Sequence, residues 1–164
     1  MAYAIQARIG AQPITTTDTV QRHALGTIVK GVDPTYGEAE FIYLLGVAST
    51  AVGSVVTYDL TSYQTALAAV GTNLPRPVAI AMSANVASQY GWYQISGIAV
   101  VKKSCTVCLV AGGAVAVKTI GLVATTGSGK EIQGALVAAT ASAAAGRTTV
   151  PVMIARPHMQ GRVT

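Results

Sequence analysis

Short runs of β-branched and aromatic residues, each stopped by glycine, serine, threonine or proline, govern what this 164-residue chain can fold into. "EFIYLLGV" (40–47), "SVVTYDL" (54–60), "RPVAIAM" (76–82), "YGWYQISGIAVVKK" (90–103), "CTVCLV" (105–110), "AVAVKTI" (114–120), "GLVAT" (121–125) and "GRTTVPVMIARP" (146–157) all have this form. Side chains branched at Cβ suit a pleated, half-buried surface, and the intervening small residues suit turns. The expected fold is therefore all-β, a compact β-barrel or jelly-roll-like sandwich with at most one or two short helices. One short helix is expected in "TSYQTALAAV" (61–70), where Thr61 reads as a cap and Tyr63, Leu67 and Val70 recur at helical spacing. "EIQGALVAATASA" (131–143) reads as strand, loop, strand, and Pro151 as the mark of an edge or a bulge.

The start of the chain differs. "AQPITTTDTVQRHALG" (11–26) is polar and aperiodic. It reads as an extended N-terminal arm over residues 1–35, followed by a single β-rich domain over residues 36–164. "DPTYGEAE" (33–40) is a turn at the join, with Pro34 fixing φ and Gly37 permitting the bend. A chain of this length can bury roughly 70% of its unfolded surface without metals or disulfides.

Composition narrows the partners. Charged residues make up 10% of the chain, against an average of about 25%. So few charges leave much surface for other chains to cover. The net charge is +5, but the basic residues are scattered and Lys102-Lys103 is the only adjacent pair, which does not suggest nucleic-acid binding. Residues 41–58 and 77–101 carry no charge, yet both contain too many polar residues to span a membrane as helices. Buried strands explain them. "MAYAIQARIG" does not read as a secretory signal, and a reducing, cytoplasmic site of synthesis is expected.

No catalytic set emerges, and neither a cofactor nor a metal is expected. "TTGSGKE" (125–131) imitates a phosphate loop, but Ala124 replaces the first glycine and Glu131 the magnesium-binding hydroxyl. It reads as a hairpin turn. Cys105 and Cys108 form a lone C-x-x-C without two further zinc ligands, and read as small core residues with free thiols. His23 and His158 have no local triad partners. Glu38 and Glu40 share a strand face; with Asp33 they offer oxygens for a cation, but a solvated strand start or an inter-subunit pair with arginine fits better. Tyr90, Trp92 and Tyr93 offer a stacking platform, yet packing in a core or interface fits better, because no basic residue lies between Arg76 and Lys102.

"LGTIVKGVDPTYGEAEFIYLLGVAST" (25–50) and "PVAIAMSANVASQYGWYQISGIAV" (77–100) resemble the head decoration, or cement, proteins of tailed bacteriophages. The likeness covers about residues 22–101; the remainder agrees in its short β runs and in the closing "ARP". The resemblance implies a non-enzymatic structural protein on the outer surface of the phage head. It implies a homotrimer that binds the major capsid protein and clamps neighbouring capsomers, with no nucleic-acid or membrane partner. On that reading Arg8, Arg22 and Lys30 of the arm meet acidic groups on the shell or a neighbouring subunit. Glu38, Glu40, Tyr90, Trp92 and Tyr93 are further candidate contacts. The alternative is a virion fibre-base or carbohydrate-binding β module using Trp92 and the tyrosines.

Overall fold

The computed structural model describes residues 4–6, 12–70, 75–127 and 129–161. Among them are twelve strands and no helix. The strands are β1 (Ala4–Gln6), β2 (Thr17–Asp18), β3 (Ile28–Asp33), β4 (Gly37–Leu45), β5 (Val55–Tyr58) and β6 (Thr65–Leu67). Then come β7 (Val78–Ala81), β8 (Tyr90–Lys102), β9 (Ala114–Thr119), β10 (Leu122–Thr125), β11 (Glu131–Val137) and β12 (Thr149–Met159). They form one curled antiparallel sheet, a half-barrel, in the order β1-β3-β4-β8-β12-β11-β9-β10, with β2 and β7 also pairing with β8 and β5 between β7 and β6. The all-β expectation holds.

The long β8 organises the sheet. Along one edge it pairs with β4 from Leu45↔Tyr90 to Glu40↔Ser96. Along the other it meets β2 at Gly91, β7 at Tyr93 and Gln94, and β12 from Ser96 to Lys102. Glu40 faces Ser96 while Phe41 faces Gln94, so Ile95 is an extra residue and β8 bulges there. The bulge is stabilised from inside. Buried Gln94 donates from Nε2 to the carbonyls of Ser96 (3.1 Å) and Ile98 (3.2 Å). Gly97 follows at φ +92°, and a Cβ on it would stand 2.5 Å from the Glu38 carbonyl oxygen.

Beyond its first three residues β4 is buried on both faces, apart from half-buried Glu40 and Leu45, which explains the long uncharged runs. Phe41 and Tyr43 pack with Val29, Trp92, Met82 and Ile14. Ile42 and Leu44 pack with Tyr93, Ile95, Val56, Ala79 and Ala81 on the opposite face. The largest cluster lies where the sheet curls: Val55 and Ile80 join Ala99, Val101, Val115, Val123, Val152 and Ile154. There β10 comes back to the end of β8 through the Lys103↔Val123 bridge, and Val55 N donates to the Gly121 carbonyl at 2.9 Å.

Several expectations need correction. Residues 12–35 are not a free arm: β2 and β3 are members of the sheet, β3 pairs with β4 along six residues, and Ile14 is buried. The aperiodic polar sequence conceals this because β2 is two residues long and the cover over Trp92 is a loop. The 61–70 helix is absent. Asp59 Oδ1 accepts from the amides of Thr61 and Ser62, both at 2.9 Å, and Tyr63 takes φ 54°, so the chain turns; Gln64 then bridges to Leu45 and Thr65–Leu67 pairs as β6. An aspartate that captures nearby amides competes with helix.

"TTGSGK" is a connection but not a hairpin: it links β10 to β11, and β9 lies between them. Lys130 N donates to the Gly127 carbonyl at 3.0 Å and Gly129 has φ +69°. Residues 105–110 form no strand; both cysteines are exposed on a turn rather than packed in a core. Pro151 lies in β12, an interior strand. Its carbonyl accepts from Ala138 N at 2.9 Å, just past the end of β11, so the donor it lacks would face the edge that β11 has left.

Candidate interaction surface

The sheet brings three of the expected contact residues together. Lys30 on β3 stands directly across from Glu40 on β4, and Glu38 is two residues from Glu40. Arg156 on β12 joins them, its Nη2 3.2 Å from Glu40 Oε2. These four side chains and Ser96 rim a recess of about 210 Å³. Arg156 sits at φ 45° where Gln133↔His158 gives way to Ala135↔Ile154, so β12 bulges and re-aims the guanidinium. Arg156 is two-thirds exposed, and an ion pair so placed is worth about 1 kcal/mol or less.

The aromatic residues are placed otherwise. Trp92 and Tyr93 are fully buried inside the chain and face opposite clusters. Neither can touch a capsid or a sugar, because their surfaces are already covered. Trp92 lies 5.0 Å from Tyr43 and 5.4 Å from His23 between ring centroids, and Tyr90, half-buried, stacks on Tyr43 at 6.1 Å. The loop above them is tied down by polar contacts: His23 Nε2 to Gln12 Oε1 at 2.6 Å, Gln12 Nε2 to Asp18 Oδ2, and Arg22 Nε to Asp18 Oδ1 at 2.7 Å. Arg22 remains exposed at the rim of this loop. Arg8 lies outside the described residues. The Tyr93 hydroxyl accepts from Asn85 Nδ2 at 2.8 Å, but burial is the stronger influence and raises its pKa above the usual 10.0.

The carboxylates are largely engaged within the chain. Asp33 Oδ1 takes the amides of Thr35 (2.7 Å) and Tyr36 (2.9 Å), so Asp33 caps its own turn rather than joining Glu38 and Glu40. Asp59 does the same in its turn, and the Thr61 hydroxyl first, with the Ser62 and Thr61 amides, holds its carboxyl far below the ordinary range. Asp18 and Glu40 have their arginines, and Glu131 Oε2 accepts weakly from Gln133 Nε2 at 3.4 Å. The cations are not matched. Lys30, Arg76, Lys102, Lys118, Lys130 and Arg147 have no carboxylate within ion-pair distance among the described residues. Lys103 is a separate case that the sequence did not single out. Its Nζ is buried and donates to the carbonyls of Ser104 (3.2 Å), Val107 (2.8 Å) and Ser142 (3.2 Å), tying the cysteine turn to the loop before β12.

An apolar surface was also missed. Leu136 on β11 pairs with Ala114 on β9 and with Met153 on β12; Met153 pairs with Ile98 on β8, and Pro151 with Val100. Leu136 and Met153 are half exposed. With the β11 bulge at Gly134 they border a groove of about 400 Å³ whose one charged lining residue is Glu131. The signal for this face was present as strand alternation, but an uncharged strand does not reveal which of its two apolar faces is covered. Among the described residues no three metal-binding side chains cluster. No family model matches the chain, and no curated protein matches it.

Proposed function

We propose that this chain is a structural virion protein that decorates the outside of a tailed-phage head as a homotrimer and fastens neighbouring capsomers. The observation that carries the proposal is the likeness of residues 25–50 and 77–100 to head decoration proteins, residues that form β3, β4, β7 and most of β8. They are the centre of the sheet, so the likeness falls on the part that determines the fold. The charge distribution supports it: carboxylates are mostly engaged internally while six described cations stay unmatched, a surface suited to an acidic shell. Cementing is then linkage. A protein that binds only the assembled shell stabilises it by the free energy of each occupied site, and three linked copies raise the effective concentration for the later contacts. The carbohydrate-binding alternative loses its platform, since Trp92 and Tyr93 are buried. Co-sedimentation of the purified chain with undecorated capsids tests the proposal; a chain that stays in the supernatant at low salt and saturating concentration would refute it.

A further inference from the structure

We infer that Cys105 and Cys108 form a dithiol site that exchanges with low-molecular-weight disulfides and closes to a disulfide within one chain. The site is independent of the proposed capsid contact. On a strand the two sulfurs would point to opposite faces, with Cα atoms roughly 10 Å apart, beyond the limit of about 7 Å for a disulfide. The chain turns there instead. Val107 N donates to the Ser104 carbonyl at 3.1 Å, which places Cys105 and Thr106 at the centre of a β-turn. Val107 and Leu109 pack inward against the core, while both thiols are free and exposed. Among the described residues no third metal-binding side chain joins the pair, so its chemistry is that of a dithiol.

The backbone beneath the thiols is fixed. Lys103 Nζ donates to the Ser104 carbonyl at 3.2 Å and to the Val107 carbonyl at 2.8 Å. Those carbonyls belong to the peptide groups that enter Cys105 and Cys108, so one buried ammonium gathers both. Ser104 Oγ lies 2.9 Å from Thr106 Oγ1 across the turn. Leu109 and Ala141 exchange backbone hydrogen bonds of 2.9 and 2.8 Å, which anchors the chain just after Cys108. Cys108 also borders a recess of about 300 Å³ with Gly113, Thr125, Thr126 and Val137, which leaves room for a small disulfide beside its sulfur. One cysteine thiolate attacks a sulfur of that disulfide and expels a first thiolate, leaving a mixed disulfide. The second cysteine thiolate attacks the protein sulfur of the mixed disulfide and expels the other. The cysteine pair gives up two electrons and two protons, and the small disulfide becomes two thiols. The second step is intramolecular, and a turn that holds both cysteines gives it a high effective concentration.

The test incubates the reduced chain with oxidised glutathione under native conditions and reads intact mass and a peptide map. The wild type is expected to lose two hydrogens and retain no glutathione. It should run as a single chain on a non-reducing gel, with unchanged far-UV circular dichroism because both side chains face solvent. Cys105→Ser and Cys108→Ser cannot close the ring, and each is expected to retain one glutathione. In urea, where the turn is lost, the mixed disulfide should persist longer than in the folded wild type. A wild type that keeps glutathione on both sulfurs, stays fully reduced or links to a second chain overturns the inference. Ring closure that is no faster in the folded chain than in urea overturns it as well.

Discussion

Lys103 shows how a single residue can be misjudged by its neighbours in sequence. Beside Lys102 it looks like half of a basic pair; in the fold its ammonium is inside, holding three carbonyls. Removing a buried charged donor leaves those acceptors unsatisfied, so Lys103→Met is expected to cost about 2–4 kcal/mol, measured by urea denaturation. Lys102→Met, on the open face, should cost roughly 0.5 kcal/mol or less. Equal effects would show that Lys103 is not pinned. Gly97 is a second sensitive point. Its φ of +92° and the Glu38 carbonyl 2.5 Å from a would-be Cβ leave no room for alanine. Gly97→Ala is expected to destabilise by about 1–3 kcal/mol; a neutral result would mean that the β8 bulge is not built as described.

At the scale of elements, the buried tyrosines make a pH prediction. Burial raises the pKa of both Tyr43 and Tyr93 above 10.0 in the folded chain. Their neutral forms are therefore favoured by folding. The contribution is complete below the unfolded tyrosine value of about 10 and is lost as pH rises through the folded values. Alkaline titration should show phenolate absorbance from these two residues appearing together with loss of the strand dichroism. Ionisation of all seven tyrosines near pH 10 with the fold intact would contradict it. The cover over Trp92 gives a companion test. Ile14 is buried against the Trp92 cluster, so Ile14→Ala should cost about 2–4 kcal/mol and expose Trp92 to acrylamide quenching. A cover that is merely a loose arm would give neither effect.

The elements also show what was legible in sequence. The runs that became β4, β5, β7, β8, β9, β10 and β12 could be read because β-branched density and glycine punctuation are local signals. What failed depends on tertiary context. β2 is two residues held by β8, and residues 61–70 turn because Asp59 takes their amides. The cysteine run lacks a ladder partner except at Leu109. For the site, strand alternation puts Glu38 and Glu40 on one face, but Lys30 arrives across the β3–β4 ladder, and Arg156 from 116 residues away through a bulge that no local motif announces. Trp92 and Leu136 show the limit most plainly: aromatic and apolar strand residues look alike in sequence whether the sheet face above them is covered or open.

For the whole molecule, one antiparallel sheet carries six described cations with no carboxylate within ion-pair distance among the described residues. Exposed charge attraction is screened over about 8 Å at physiological salt, so the proposed attachment to capsids should weaken as ionic strength rises. The most direct measurement of the proposed decoration is cryo-electron microscopy of undecorated tailed-phage heads mixed with the purified chain at low and at high salt. Added density is expected on the outer surface, in sets of three copies where capsomers meet, abundant at low salt and depleted at high salt. Heads that remain bare at low salt with the chain in excess would contradict it.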